Sequence, residues 1–237
     1  MILVTVCMRG GSKGVPNKNS KKLLDKPLMD YTFDCIKEVS SIDDIVVSSD
    51  SEEILQMSKK HGIEKLYKRS EELSSDSASK WDVFRDIVLK YEKENNIKVE
   101  YLVDLDVTVP RRKSEHIENA INLMLKEKVD VVITGYEPER NPYFNMMEID
   151  KSNNLAKIVK KLDTPIVCRQ DAPAVYGLSP AVYVVEREAL FKYDHWSNAK
   201  CSISPIEREY GLDIDTQFDF EFMEFLLERE KNERKHV

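Results

Sequence analysis

Apolar residues recur along the chain in short alternating or continuous runs, then at helical spacing, and the two kinds of run take turns. Ile2 to Cys7 is a short apolar run rich in β-branched residues, which predicts a buried strand. Lys26-Pro27-Leu28-Met29 leads into a helix to about Val39, with Pro27 near a first-turn position where a missing N–H costs little. Ile45 to Asp50 reads as a second strand with a polar end, followed by a helix to about Lys60 that Gly62 closes. A short strand, Lys65 to Tyr67, precedes the polar stretch Arg69 to Ala78. Trp81, Phe84, Ile87, Val88 and Tyr91 then repeat as the core contacts of a helix. Tyr101 to Leu105 predicts a further strand, Ser114 to Glu127 a helix, and Val129 to Gly135 another strand.

Strands that alternate with helices imply right-handed βαβ units. The expected fold class is α/β, a mostly parallel Rossmann-like sheet with helices on both faces. Ligands of such sheets collect at the carboxyl ends of the strands, so the loops after Cys7, Ser48 and Leu105 are expected along one edge.

From Glu137 to Val175 the rhythm breaks. Pro138, Pro142, Pro165 and Pro173 interrupt it, and two candidate strands, Tyr143 to Ile149 and Leu155 to Val159, flank the turn Asp150 to Asn154. That is the pattern of a hairpin extension. The expected organisation is one domain, 1–237, with 137–175 inserted as an extension that covers a neighbouring subunit. A strand from Ala181 to Glu186, a short helix near Ala189, a strand from Cys201 to Ile206 and a helix from Gln217 to Glu228 follow. The charged tail, Glu230 to Val237, is expected to fray.

Composition narrows the class. Of 237 residues, 41% are hydrophobic and 33% charged, and no apolar run approaches the ~20 residues that span a bilayer. A soluble protein with no membrane partner is expected, and the missing signal-type start predicts a cytoplasmic address. A net charge of -7 argues against general nucleic-acid binding, so local basic clusters serve small anions. The four cysteines, Cys7, Cys35, Cys168 and Cys201, are scattered in a way that suits reduced residues better than disulfides or zinc. The histidines show no metal-ligand spacing.

The first strand empties into Met8-Arg9-Gly10-Gly11-Ser12-Lys13-Gly14-Val15-Pro16-Asn17-Lys18-Asn19. Three of the chain's seven glycines lie here, where backbone must approach something closely or take positive φ. Backbone N–H groups around Gly10 to Gly14 can point at phosphate oxygens, with Arg9 as a bidentate donor and Lys13 and Lys18 as point charges. The pattern is neither the P-loop nor the dinucleotide fingerprint. Near the other end, Asp213 and Asp215 alternate with Ile214, so on a strand both carboxylates face one side, as hard-cation ligands do. A solvated acidic strand end has the same spacing.

The loop, Arg9 to Asn19, resembles the signature of the acylneuraminate cytidylyltransferase family, the CMP-sialic acid synthetase-like nucleotidyltransferases. Arg69, Asp76-Ser77-Ala78 and Trp81 extend the likeness, as do Thr108 to Arg112, Asp213 to Thr216 and Asp219-Phe220. The resemblance implies a nucleotidyltransferase fold with a dimerisation extension, CTP and an acidic sugar as partners, and Mg2+ as cofactor. It implies attack of the anomeric hydroxyl of a 2-keto-3-deoxy sugar acid on the α-phosphorus of CTP. Arg9, Lys18, Asp213 and Asp215 form the expected catalytic set. Gly10, Gly11, Ser12 and Lys13 complete the triphosphate site, and Asn19, Arg69 and Ser77 seat the nucleoside. Arg169, Gln170 and Tyr176 resemble the family's sugar-facing segment.

Two departures stand out. Asp106 stands where the family commonly has Gln, and from more distant nucleotidyltransferases it is expected to join CTP, Asp213 and Asp215 around the metal. After Tyr176 the chain reads Gly177-Leu178-Ser179-Pro180, where the family often has Asn. Arg208 is open to either a substrate carboxylate or a surface ion pair. Asp104-Leu105-Asp106 also mimics the metal-binding motif of glycosyltransferases, so a glycosyltransferase using a nucleotide sugar is one alternative. A catalytically silent nucleotide-binding protein is the other.

Overall fold

The computed structural model describes residues 1–233. Its strands are β1 (Ile2–Met8), β2 (Lys22–Leu23), β3 (Lys26–Pro27), β4 (Asp44–Ser49), β5 (Lys65–Lys68), β6 (Tyr101–Asp104), β7 (Val131–Tyr136), β8 (Met147–Asp150), β9 (Leu155–Ile158), β10 (Gly177–Glu186) and β11 (Cys201–Pro205). Its α-helices are α1 (Leu28–Ile36), α2 (Glu52–Lys60), α3 (Glu71–Ser74), α4 (Lys80–Asn95), α5 (Ser114–Glu127), α6 (Arg187–Lys192), α7 (Arg208–Gly211) and α8 (Gln217–Glu233).

Seven strands form one sheet in the order β11-β7-β10-β6-β1-β4-β5. Pairing is parallel except for β10, which lies antiparallel between β6 and β7. The expected mostly parallel α/β sheet is therefore present. Strand β1 shows why it is central: Leu3 faces one apolar cluster while Val4, Val6 and Met8 face the other, all essentially without exposure. Helices α1, α2 and α5 cover one face through Phe33, Ile36, Ile54, Ile117 and Ile121. On the other, α4 inserts Trp81, Phe84, Ile87, Val88 and Tyr91, and α6 adds Leu190. Burying one such side chain contributes about 1.5–3 kcal/mol.

The helix ends follow local chemistry. Ser51 caps α2 by accepting from Ile54 N, and Gly62 leaves it at φ +83°. Asn96 and Lys128 end α4 and α5 in the left-handed region. A third, small cluster of Val15, Leu23, Leu28, Ile214, Phe220 and Met223 ties the first loop to α8.

Several expectations shift. The first helix ends at Ile36 rather than Val39. Tyr143 to Met146 form no strand, because Asn141 accepts from Tyr143 N and Phe144 and Asn145 bond back to Asn141 O. The last helix continues to Glu233 rather than Glu228, and the rest of the expected tail lies outside the described residues. The extension does carry a hairpin, β8 with β9.

Candidate active site

The loop after β1 is shaped by close approach rather than by positive φ at its glycines. A Cβ on Gly14 would lie 1.9 Å from the carbonyl oxygen of Asp215, and one on Gly10 would lie 2.9 Å from Ser51 Cβ. Gly11 has open space around it. The loop's positive φ falls on Asn17, at 52°. Gly10 N donates to Asp50 Oδ1 at 2.7 Å, and Asn19 Nδ2 donates to Arg9 O at 2.9 Å, which folds the loop on itself. Lys18, only 12% exposed, donates to Ile214 O and stands 3.9 Å from Asp215 Oδ1. Asp213 to Asp215 form no strand; in this irregular segment Ile214 is buried and Ile214 N donates to Thr108 O at 2.9 Å.

These contacts close a cleft of about 460 Å3 at the carboxyl ends of β1 and β6, lined by Arg9, Gly11, Ser12, Lys13, Gly14, Lys18, Asn19, Arg69, Asp106, Asp213 and Asp215. Arg9 and Lys13 both meet the exposed Asp76, at 3.0 and 2.5 Å. Lys13 and Arg9 hold the Asp76 carboxyl below its usual range by hydrogen bonding. Arg69 is buried, with Nε on Ser48 Oγ and Nη2 on Ser48 O. Gly10 supports the loop from behind, and Ser77 is exposed and bonded to Ser75 Oγ, outside the cleft lining.

The end of β6 adds charge from below. Asp104 is fully buried; Thr5 Oγ1 donates to its Oδ1 at 3.0 Å and Lys80 Nζ stands 2.6 Å from its Oδ2. Asp106 Oδ1 accepts from Thr108 N and Oγ1, and its Oδ2 lies 3.4 Å from Lys80. Burial works against the Asp106 charge, but Lys80 and Thr108 outweigh it and bring the pKa below the usual carboxylate range. Asp213 goes the other way: burial, then the Asp215 and Asp106 carboxylates, push its pKa up. Negative charge thus gathers around Asp213 in excess of what Lys18 offsets. Hard carboxylate oxygens with such an excess fit a Mg2+ ion. Among the described residues, however, no three His, Cys, Asp or Glu side chains stand grouped as a metal cage.

Sequence reasoning missed Lys80, which follows the polar stretch as an ordinary helix-starting residue. It missed the work of Arg112 too. Arg112 is buried beneath the cleft, where Nη1 donates to Asp106 O and Ala181 O and Nη2 to Thr32 Oγ1, which fixes the turn that carries Asp106. Ser179 is buried and donates to Gly211 O at 2.7 Å, so it supports β10 rather than lining the cleft.

The expected sugar-facing residues lie apart from this cleft. Arg169 and Gln170 line a separate depression of about 460 Å3, where Arg169 Nη2 donates to Pro138 O. Tyr176 borders a third, beside His116 and Arg208. Arg208 forms a surface ion pair with Glu139. The cysteines are free.

Sheet, cationic loop and carboxylate pair together define an enzyme of the nucleotidyltransferase class. A family model described as cytidylyltransferase matches residues 3–232, and the chain belongs to that family. It is 35% identical, over 98% of its length and 96% of the relative's, to the post-translational flagellin modification protein B of Campylobacter coli. It is 34% identical, over 95% of its length and 94% of the relative's, to the CMP-N,N'-diacetyllegionaminic acid synthase of Campylobacter jejuni. The N-acylneuraminate cytidylyltransferase of Streptococcus agalactiae matches at 31% over 90% of this chain and 50% of that protein. The fold is similar to a solved CMP:2-keto-3-deoxy-manno-octonic acid synthetase complexed with CTP, with a TM-score of 0.70 at 14% identity, over 97% of this chain and 99% of that one.

Proposed function

We propose that this cytidylyltransferase couples CTP to a 2-keto-3-deoxy sugar acid of the sialic or legionaminic type, giving the CMP-sugar and pyrophosphate. The carrying observation is the contact of Gly14 with the Asp215 backbone, which sets the cationic loop and the carboxylate pair into one cleft. The relatives' names support the substrate class.

In this reading Arg9, Lys13 and the loop amides take the triphosphate oxygens, exchanging Asp76 for phosphate. Lys18 is held by Ile214 O where its charge faces the phosphates. The anomeric oxygen forms a bond to the α-phosphorus while the bond to the oxygen bridging to the β-phosphate breaks. That oxygen leaves with pyrophosphate, and the hydroxyl proton passes to solvent or a carboxylate. Positioning and charge stabilisation carry such a step, and no covalent nucleophile is required. Asp213 and Asp215 would hold Mg2+, which supplies charge neutralisation at the transferred phosphoryl group. A cytoplasmic setting and a homodimer formed through the extension belong to the same proposal. The exposed Met147, Ile149 and Leu155 on β8 and β9 support the dimer. In that dimer Arg169, Gln170 and Tyr176, which lie apart from the cleft of their own chain, would face the sugar of the neighbouring subunit.

The test is incubation with CTP, UTP, ATP or GTP and a panel of eight- and nine-carbon keto acids, with pyrophosphate measured and products identified by mass. CTP with a nine-carbon acid is expected to give a CMP-sugar, and Lys18→Ala to lose turnover with its folding retained. Absence of pyrophosphate from every pairing would refute the reading.

A further inference from the structure

Lys80 occupies a position that ordinary helix chemistry disfavours. Ser79 is the N-cap of α4, accepting from Trp81 N at 3.1 Å, and Lys80 is the first helical residue, where the helix dipole opposes a cation. Its ammonium reaches over the rings of Tyr183 and Phe84, with Nζ 5.0 and 5.8 Å from their centroids, and borders the cleft. There the ammonium sits between Asp104 Oδ2 at 2.6 Å and Asp106 Oδ2 at 3.4 Å. Asp104 Oδ2 has no aligned hydrogen-bond donor, so the nearby charge of Lys80 is what compensates it. Lys80 Nζ thus stands within ion-pair distance of both carboxylates, one of them wholly buried, and a buried carboxylate with no cation beside it is costly.

We propose that Lys80 is a built-in counter-ion for Asp104 and Asp106. It takes the place a divalent cation would take between two such carboxylates. Asp106 then presents a fixed, neutralised acceptor to the cleft, and the metal is left to Asp213 and Asp215. Lys80 is a positioning residue: it acts through Asp106, which borders the bound substrates. The inference rests on the metal reading above for Asp213 and Asp215, and it departs from the expectation that Asp106 is a ligand. Three observations separate the two carboxylate sets. Asp106 already has Thr108 and Lys80 on its two oxygens. Asp215 is 75% exposed, against 26% for Asp106. Lys80 is 38% exposed in the cleft and is therefore no sealed structural pair.

Direct Mn2+ binding to the whole protein, followed by electron paramagnetic resonance with no substrate present, tests this. Asp213→Asn is expected to weaken Mn2+ binding at least tenfold and Asp106→Asn less than threefold. Lys80→Met, with the ammonium gone, is expected to bind a second Mn2+ ion or to bind Mn2+ at least tenfold more tightly. Lys80→Arg is expected to behave as the unaltered chain. A tenfold loss in Asp106→Asn would make Asp106 a ligand and overturn the inference. A folded Lys80→Met protein with unchanged Mn2+ binding would overturn it as well. If Lys80→Met does not fold, the isosteric Asp106→Asn decides alone. Should Asp213→Asn leave Mn2+ binding intact, the metal reading fails, while the contrast between Lys80→Met and Asp106→Asn still reports on the counter-ion.

Discussion

The loop after β1 and the end of β6 line the same cleft, yet Arg9 and Lys13 of the loop keep their charges in solvent while Asp104 at the strand end holds its charge inside the protein. Arg9 and Lys13 share Asp76, whose side chain is 60% exposed. Asp104 has no exposure, and the turn carrying Asp106 is clasped from beneath by a buried arginine. Exposed ion pairs contribute little to stability and exchange readily, whereas a buried charge that loses its partner is costly. The exposed Asp76 pairs can thus exchange at little cost, as the proposed triphosphate binding requires, whereas the strand end holds its contacts.

The strongest way to break that comparison is to wedge the two regions apart. Gly14→Ala places a methyl group against the Asp215 carbonyl and is expected to lower turnover about 100-fold, as ångström-scale misplacement does. Gly11→Ala meets no neighbour, and denaturant unfolding should show its stability unchanged or raised by at most about 1 kcal/mol. Equal damage from the two substitutions would mean that the loop does not close on the carboxylate segment.

Next comes the clasp. Arg112→Met leaves the carbonyls of Asp106 and Ala181 and the Thr32 hydroxyl without their donor. A loss of about 2–4 kcal/mol in unfolding free energy is expected. A smaller effect is expected on the exposed side: Asp76→Asn should leave the unfolding midpoint unchanged and tighten CTP binding roughly threefold at low salt, because two loop cations lose their competitor. Calorimetry with CTP would show it.

The smallest effect is a pH slope. Burial pushes the His116 imidazole below its ordinary 6.5, against the pull of Glu115 and Glu207. The unfolded chain therefore takes up this proton at a higher pH than the folded one. The associated stability is complete above about pH 6.5 and declines as pH falls below it. His116→Gln should flatten that slope in melts taken between about pH 7 and 5.

Much of the exposed wall was legible in the sequence. Glycines and cations crowded after an apolar run mark backbone that must come close to something, and Gly10 and Gly14 do come close to Ser51 and Asp215. The alternation of strands and helices likewise gave the parallel sheet. The buried wall was less legible. Lys80 and Arg112 act through contacts made far along the chain, with Asp104 and Asp106 and with Ala181 and Thr32, and nothing in their neighbours announces this. The antiparallel placement of β10 between β6 and β7 is a tertiary fact of the same kind. Arg169 and Gln170 are the opposite case: their motif was readable locally, and within one chain they line a depression separate from the cleft.

The bond from Lys18 to Ile214 joins positions 196 residues apart, and α8 follows directly behind. A chain still emerging from the ribosome can pair its early strands long before Ile214 has been made. It cannot assemble the cleft that Lys18 and Ile214 close. Acquisition of CTP binding during synthesis would then wait until Ile214 has been made, and a protease cut ahead of Asp213 would disturb the cleft after every strand of the sheet has been passed.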